Sequence, residues 1–425
     1  MTRHRSGGFA AHLLTASIVG LAGLGPIQAS ADTGAVTWQN RVVVERSGDF
    51  CADDPNCFNR YHPDIPAAAR AKPGDVIILG TRDALDSGLT LDSTAADVTA
   101  LDLNLVHPMT GPVYIEGAER GDVLAVTLLD IEPDQYGYTV IVPGFGFLRD
   151  IYTEPHIVNW RLSRQAAVSD QMPGVRIPIA AFMGSVGVLP GEPEVKAWLA
   201  RENDLAAAGG IALPPQPIGA LPADVCGPEG SGKDLCLRTI PPRENGGNMD
   251  VKQMQVGTTL LLPCFVEGCG LFAGDVHYAQ GDGEVSGTAI EMGATVRLTT
   301  ALLKGKGSEI TSPQFTGGAQ LKAIAPSKFH ATVGFPLKAK GTIPPFLTYL
   351  DSEKITKLEN LSEDLTLAAR NALIDMIDYI VANHGLDKEQ AYILSSVAVD
   401  LRIGQVVDVP NYTVSAILPL TVFEE

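Results

Sequence analysis

Residues 241–292, PPRENGGNMDVKQMQVGTTLLLPCFVEGCGLFAGDVHYAQGDGEVSGTAIEM, concentrate acids, amides and one imidazole among nine glycines. These groups include Glu244, Asn245, Asn248, Asp250, Asp275, His277, Gln280, Asp282, Glu284 and Glu291. Glycine lacks a Cβ atom, so its backbone can approach a ligand closely and can adopt positive φ without strain. The stretch therefore predicts a pocket in which polar side chains on tight turns converge.

The composition of the whole chain indicates a large globular protein. It has 425 residues, a formal net charge of -18 and 45% hydrophobic residues. Its 44 Gly and 29 Pro favour turns over long helices, so we predict a strand-rich α+β fold with β-sandwich or barrel-like sheets and a few helices near the C-terminus. The acidic balance, without a basic cluster, excludes nucleic acid as a partner.

Apolar patterns divide the chain into an N-terminal β-rich half (32–208), a Pro- and Gly-rich loop or insertion (209–245) and a C-terminal α+β half (246–425), within one continuous domain. Residues 36–46 predict an opening strand, and residues 106–131 predict a hairpin around the turn at 117–121. Helices are expected at 192–208, at 362–384 with a Ser N-cap and a Gly385 stop, and at about 387–400. A closing strand is expected at 406–422.

The N-terminus predicts an export signal. Arg3 and Arg5 precede a largely apolar segment from Phe9 to Ile27, and Ala29-Ser30-Ala31 fits the small-x-small cleavage rule. A membrane anchor is the alternative, but glycines and Pro26 interrupt the span that an anchor needs. His4 separates the two arginines, so the signal is Sec-type and not twin-arginine. We expect a periplasmic or extracellular protein without membrane association after the signal is removed.

Six cysteines fall as three close pairs, Cys51 with Cys57, Cys226 with Cys236, and Cys264 with Cys269. In an exported protein an even count at short spacing predicts disulfides, and local pairing is the simplest of the fifteen connectivities. The spacings do not repeat CxxC, which argues against zinc. A nucleophilic cysteine is a further alternative.

Several motifs recur together along the mature chain and are similar to those of the acetamidase/formamidase family. They are Asn40, Tyr61–Pro66, Pro73–Asp75, Arg82–Ala84, Thr110–Pro112, Gly117–Glu119, Gly121–Asp122, Gly246–Asp250 and Gly274–Glu284. The resemblance covers the chain from about residue 37, and GGNMD followed by GDxHxxQGDGE is a specific combination. It implies a strand-rich α/β subunit, a homo-oligomer (dimer or higher), that hydrolyses short aliphatic amides such as formamide or acetamide.

The residues themselves suggest how such a hydrolysis could proceed. Asp275 and His277 are two positions apart, so they share a face of an extended segment and could form a site for a divalent metal, zinc or calcium, with Asp250 and Glu291. Asp83, at the end of a predicted strand, is an outlying candidate ligand or a turn cap. The predicted catalytic residues are Glu284 as general base, His277, Asp282, Gln280 and Asn248.

Other interpretations of these groups stay open. The carboxylates could act without a metal, or they could simply hold turns together. The chain could bind a small amide or a metal without turnover, or hydrolyse a bulkier or cyclic amide in contact with the aromatic segment 136–152. Formamidase-like relatives tend to carry His where this chain has Asn245, and that His could be a ligand, a proton carrier or only a loop support.

Overall fold

Two large β-sheets, each built from strands far apart in sequence, dominate the structure. The computed structural model describes residues 40–207, 212–318, 328–348, 350–405 and 412–424. The predicted export signal, residues 1–31, lies outside the described residues. The strands in chain order are β1 (Arg41–Val44), β2 (Cys57–Phe58), β3 (Arg60–Tyr61), β4 (Ala69–Ala71), β5 (Val76–Thr81), β6 (Met109–Ile115), β7 (Val123–Pro133), β8 (Tyr136–Ile141), β9 (His156–Arg161), β10 (Ala166–Val168), β11 (Arg176–Pro178), β12 (Phe182–Val188), β13 (Leu237–Arg238), β14 (Gly246–Asn248), β15 (Thr259–Pro263), β16 (Leu271–His277), β17 (Glu291–Met292), β18 (Ala294–Leu303), β19 (Gln314–Thr316), β20 (Phe329–Gly334), β21 (Asp400–Gln405) and β22 (Thr413–Pro419).

The described part of the chain also contains six α-helices, three of them near the C-terminus. They are α1 (Ala95–Thr99), α2 (Glu192–Ala207), α3 (Ala223–Cys226), α4 (Ser352–Lys357), α5 (Leu365–His384) and α6 (Lys388–Ala398). None of these helices is long and apolar enough to cross a membrane. The predicted strand-rich α+β class with helices near the C-terminus is confirmed.

The six-stranded sheet has the order β1-β5-β18-β7-β15-β19, and the eleven-stranded sheet contains the run β11-β10-β9-β8-β17-β16-β12-β14. Strand β6 pairs with β16 and also carries β2 and β4. Two smaller sheets are β13-β3 and β20-β22-β21. In both large sheets, strands that precede residue 245 pair with strands that follow it, as β7 does with β18 and β12 does with β16, so these pairings are long-range.

One hydrophobic core joins the two large sheets and the helices α5 and α6. It contains Ile77 and Leu79 of β5, Leu124 of β7, Ala273 of β16 and Leu373 of α5, each with essentially no exposed surface. Apolar faces of two sheets bury each other when they stack, which is the organisation of a sandwich. This core fixes β16 and its neighbours, and β16 carries the predicted site motif.

The predicted hairpin at 106–131 is wrong. Strand β6 lies in the eleven-stranded sheet against β16, whereas β7 lies in the six-stranded sheet between β18 and β15. Both strands are mostly buried and each needs partners from distant parts of the chain. Gly117 and Gly121 have positive φ, so the turn between them forms a corner that moves the chain from one sheet to the other.

The local predictions for the helices hold, with shifted ends. Helix α2 confirms the prediction at 192–208, and Gly385 ends α5 in the left-handed region at φ 68°. The N-cap of α5 is Asp364 and not Ser362, because the Asp364 carboxylate accepts a hydrogen bond from the Leu367 N–H at 2.8 Å. The closing strand runs over Thr413–Pro419, and residues 406–411 lie outside the described residues.

All six cysteines form the predicted local disulfides, Cys51–Cys57, Cys226–Cys236 and Cys264–Cys269. A nucleophilic cysteine is therefore excluded, since every thiol is bonded. The Cys226–Cys236 bridge lies within the predicted loop or insertion at 209–245.

Candidate active site

His277, the last residue of β16, organises the site through its strand partners. It pairs with Glu291 of β17 on one side and with Phe182 of β12 on the other. The imidazole packs edge-on against the Phe182 ring at 5.0 Å and lies over Gly184. A Cβ atom at Gly184 would come within 2.8 Å of His277 Nε2, so only glycine leaves room for this ring.

Four carboxylates approach the same nitrogen of His277. Oxygens of Asp275 and Glu291 lie 3.2 Å from Nε2, an oxygen of Glu284 lies 3.9 Å away and an oxygen of Asp250 lies 4.0 Å away. The structure thus brings together the four acids of the predicted set that surround His277. We call these five residues the His277 cluster.

Gln280 holds the other side of the imidazole. Its Oε1 lies 2.8 Å from His277 Nδ1, and its Nε2 donates to the Asp250 carbonyl at 2.9 Å. That second bond assigns the amide orientation, so Oε1 is the acceptor and Nδ1 carries the proton. In neutral imidazole the lone pair of Nε2 then faces the carboxylates, which is the arrangement of a metal ligand fixed by its other ring nitrogen.

Backbone strain accompanies the cluster. Asp250, Asp275 and Glu284 have φ values of 51°, 49° and 43°, in the left-handed region that non-glycine residues rarely adopt. Such conformations persist only where the surrounding structure enforces them, and they concentrate at functional sites. Here they turn three carboxylates toward one point.

Burial raises the pKa values of the acids that ring the cavity. Together with neighbouring negative charge, it raises the pKa of Glu284 to about 8 and that of Glu291 to about 7. Burial and the nearby Glu284 charge also raise the pKa of Asp250 well above its usual range. These three acids therefore retain protons near neutral pH when no cation balances them.

Asp275 and His277 form the ionised centre of the cluster. Burial favours a higher pKa for Asp275, but the imidazoles of His107 and His277 outweigh it and hold the pKa below its usual range. Burial opposes the charge on His277, yet Glu291 and Asp275 outweigh it and raise the pKa of the imidazole. The Asp275–His277 ion pair at 3.2 Å contributes to both shifts, after His107 for Asp275 and after Glu291 for His277.

Two buried polar atoms at the cavity wall, Asp250 Oδ1 and His107 Nδ1, make no hydrogen bond. Buried polar groups nearly always have partners, so two such atoms around one cavity indicate a group that binds there. One is a carboxylate oxygen and the other is an imidazole nitrogen, and both have lone pairs that can bind a cation. The orphaned atoms and the donor set both fit a divalent metal ion.

Two further side chains support the cluster from β12 and β14. Ser185 and Asn248 are strand partners, and the Ser185 hydroxyl lies 2.9 Å from Asn248 Oδ1 and 3.2 Å from Asp275 Oδ2. Asn248 Nδ2 donates to the Ile240 carbonyl at 3.2 Å, and Asn248 lines the cavity. The predicted residue Asn248 thus reaches Asp275 through a serine.

Asp83 and Asp282, unlike the supporting residues Gln280 and Asn248, are held by partners outside the His277 cluster. Asp83 accepts hydrogen bonds from the Tyr138 hydroxyl at 2.5 Å and from the Leu85 and Ser87 N–H groups at 3.0 and 2.9 Å. These bonds occupy its carboxylate as a turn cap. Asp282 lies 3.7 Å from Lys252 Nζ, which holds it in a separate ion-pair group with Asp400.

Asn245 also faces away from the cavity. Its amide donates to the Val188 carbonyl at 2.8 Å, and its backbone carbonyl accepts from the Val188 N–H at 3.0 Å. The residue is fully buried against β12. Its contacts are those of a loop support.

The sequence did not single out Ser185 or His107 as site residues. Ser185 lies in Gly184-Ser185-Val186-Gly187, which lacks the GxSxG pattern of a nucleophile, and its role here is to contact an acid. His107 precedes a proline next to a predicted strand, a setting that usually indicates a structural imidazole. Only the pairing of β6 with β16 brings it to the cavity.

Comparisons with known proteins agree with this geometry. The chain is 34% identical over 361 residues to an acetamidase of Mycolicibacterium smegmatis, covering 79% of this chain and 84% of the relative. It is 31% identical over 389 residues to a formamidase of Methylophilus methylotrophus, covering 87% and 90%. Among solved structures, the gamma lactamase from Delftia acidovorans superposes with a TM-score of 0.80 at 31% identity, covering 90% of this chain and 93% of that one.

The profile of the Acetamidase/Formamidase family matches residues 43–425. That range includes every strand and helix from β2 onward and all members of the His277 cluster. With a match over most of the chain and relatives above 30% identity, the protein belongs to the Acetamidase/Formamidase family.

Proposed function

We propose that this protein hydrolyses short aliphatic amides to the carboxylate and ammonia with the help of a divalent metal ion. Family membership supports amide hydrolysis, and the His277 cluster supports the metal. The observation that carries the proposal is the convergence of four carboxylates within 4.0 Å of one imidazole nitrogen. So much buried negative charge requires protons or a cation.

Asp275, His277 and Glu291 are the proposed metal ligands. Their donor atoms lie within 4.8 Å of one another and all three residues are buried. A nitrogen ligand favours zinc over calcium, which prefers oxygen alone. Asp250 lies beside them, and the orphaned nitrogen of His107 offers a further donor. When bound, the ion would polarise the amide carbonyl and lower the pKa of a water molecule.

Glu284 is the proposed general base and acid. Its carboxylate is one of the two less buried acids of the cluster, with 18% of its side chain exposed, and it lines the cavity. It would take a proton from the attacking water and deliver that proton to the leaving nitrogen. Gln280 holds the His277 ring, and Asn248 with Ser185 orients Asp275. Asp282 steadies the loop that presents Glu284 through its contact with Lys252.

The experiment measures bound metal and ammonia release together. We expect the purified protein to contain a divalent metal by mass spectrometry, to lose it and its amidase activity after chelation, and to recover both on adding zinc. Thermal unfolding gives a readout apart from activity, because a ligand that binds only the folded state raises the melting temperature. Activity that survives complete metal removal would favour carboxylate and imidazole chemistry without a metal.

Binding without turnover is the second candidate. Four buried carboxylates around a single imidazole leave negative charge that a cation would balance, which suits capture of a cation as well as catalysis. A melting temperature raised by metal or amide, with no ammonia released from any amide, would select this candidate.

We also propose that the protein functions in the periplasm or outside the cell. Support comes from the three disulfides, since oxidising compartments are where such bonds form and persist. Fractionation of cells that express the full chain, with N-terminal sequencing of the product, tests this proposal. A cytoplasmic product that retains residue 1 contradicts it.

A further inference from the structure

The cavity beside the His277 cluster has one acidic end and a mostly apolar remainder, into which His107, Asn248 and Thr288 also project. Its volume is about 270 Å³. Asp250, Asp275, Glu284 and Glu291 form the acidic end, and the walls include Leu85, Leu103, Val106, Val140, Phe145 and Ile240. We propose that the preferred substrates are primary amides with an apolar acyl group of four or more carbons. This inference rests on the proposed amidase function and names its substrate class.

The size of the cavity argues against a one- or two-carbon amide as the best substrate. An apolar protein cavity of about 150 Å³ is large enough to bind benzene. The cavity here exceeds that volume, so formamide or acetamide would leave most of it without contacts. An acyl chain that fills the space removes apolar surface from water on both sides, which is the main source of affinity in such pockets.

Two apolar side chains at the mouth extend this wall to the surface. Leu103 is 38% exposed and Phe145 is 42% exposed, and both line the cavity. Gly287 makes room for the phenyl ring, because a Cβ atom there would come within 2.5 Å of Phe145 Cδ1. Exposed large apolar residues that flank a cavity commonly mark a ligand-binding surface.

Charge fixes the orientation of the substrate. The leaving nitrogen becomes ammonia or ammonium, which carboxylates stabilise and apolar walls do not. The amide nitrogen therefore lies toward Glu284 and its neighbours, and the acyl chain extends toward Leu103 and Phe145. An alkyl group on the nitrogen would have to enter the acidic end, so N-alkyl amides are expected to be poor substrates.

The test compares kcat/KM for formamide, acetamide, propionamide, butyramide, pentanamide and hexanamide with the metal-loaded protein. We expect kcat/KM to rise about fourfold for each methylene added beyond acetamide. Pentanamide and N-butylformamide are isomers, and we expect pentanamide to be much the better substrate. A flat or falling series, with formamide hydrolysed well, overturns this inference and leaves the proposed function intact. A preference for N-butylformamide overturns the orientation and with it the inference.

Two wall variants localise the effect. Leu103→Trp narrows the mouth, so hexanamide should lose most of its advantage in kcat/KM over formamide. Phe145→Ala removes apolar contact with the acyl chain and should reduce the dependence of kcat/KM on chain length. Ile151 lies in the same loop and is similarly exposed, but it does not line the cavity. Ile151→Ala should therefore leave the chain-length dependence unchanged. A chain-length dependence that both wall variants leave intact contradicts the assigned cavity. No ammonia from any amide would instead reject the amidase function itself.

Discussion

Two buried groups of acids in this molecule differ in how fully their charges are paired. In the first, which we call the Arg82 cluster, Arg82 lies between Asp54 and Asp86, at 3.4 and 3.8 Å. All three side chains are at most 3% exposed. In the His277 cluster, four acids share a single adjacent imidazole.

Hydrogen bonding separates the two clusters. Asp54 accepts from the Ser47 and Asn56 N–H groups at 3.0 Å, and Asp86 accepts from the Cys51 N–H at 2.8 Å. Every carboxylate oxygen of the Arg82 cluster thus has a partner. In the His277 cluster, by contrast, Asp250 Oδ1 has no hydrogen-bond partner, and Glu291 Oε2 shares His277 Nε2 with Asp275, each at 3.2 Å.

Strain alone does not distinguish the two clusters. Asp86 adopts positive φ just as Asp250, Asp275 and Glu284 do. The ratio of cation to acids is the informative difference. Arg82 serves two acids whose oxygens all have partners, although its own Nε has no hydrogen-bond partner, whereas one imidazole serves four acids in the His277 cluster. The His277 cluster therefore keeps carboxylate oxygens available for a ligand. The predictions that follow test this division, beginning with the largest expected effect.

Glu284→Gln should lower kcat by about 10²–10⁴-fold, because the amide cannot take or deliver a proton. Its stability should stay close to that of the parent protein, since a neutral amide relieves repulsion among the acids. Steady-state ammonia release and denaturant unfolding check the two parts. Glu267→Gln, at an exposed hydrogen bond to Tyr114, is the matched control. Near-normal turnover in Glu284→Gln would remove Glu284 from the mechanism.

Arg82→Met should lower the free energy of unfolding by about 3–5 kcal/mol, because Asp54 and Asp86 would keep buried charge without their cation. Activity per folded molecule should persist. Urea unfolding measures the loss, with Arg161→Met as control, since the Arg161–Asp170 pair is exposed and is expected to contribute little to stability. Equal losses in the two variants would mean that the Arg82 cluster is not a structural one.

Gln280→Leu should lower both metal affinity and kcat by about 10–100-fold. The variant loses the hydrogen bond between Gln280 Oε1 and His277 Nδ1, which orients His277 as a metal ligand. Gln280→Glu keeps an acceptor oxygen for His277 Nδ1–H and should recover part of both losses. Metal titration and ammonia release are measured in parallel. Identical behaviour of the two variants would indicate that the Gln280 bond to the Asp250 carbonyl matters more than its bond to the ring.

Lys252→Met should lower the free energy of unfolding by about 2 kcal/mol, the range of one hydrogen bond to a charged group. Lys252 pairs with Asp400, which Arg402 also contacts at 3.0 Å, so the remaining arginine compensates in part. A modest fall in kcat is expected because Asp282, beside Glu284 in sequence, loses its nearest cation. A stability loss as large as that of Arg82→Met would place Lys252 among the main structural charges.

Features fixed by short stretches of sequence were predictable. The cysteine spacings predicted all three disulfides, and the apolar periodicity predicted the helices α2, α5 and α6. Both kinds of feature depend on contacts between residues that are close in sequence. The spacing of Asp275 and His277 also anticipated that their side chains lie on one face, since both belong to the end of β16. Composition alone indicated a strand-rich fold.

Features that depend on distant partners were decided only by the tertiary structure. The corner at 117–121 looked like a hairpin, because a glycine turn between apolar strands does not specify which strands will pair with them. The sequence suggested Asp83 as a site residue, but in the structure its carboxylate accepts a hydrogen bond from Tyr138. His107 reaches the site because β6 pairs with β16, and Ser185 reaches it because β12 pairs with β14. The apolar cavity likewise combines residues from Leu85 to Ile240, which burial in a shared core brings together and no local pattern encodes.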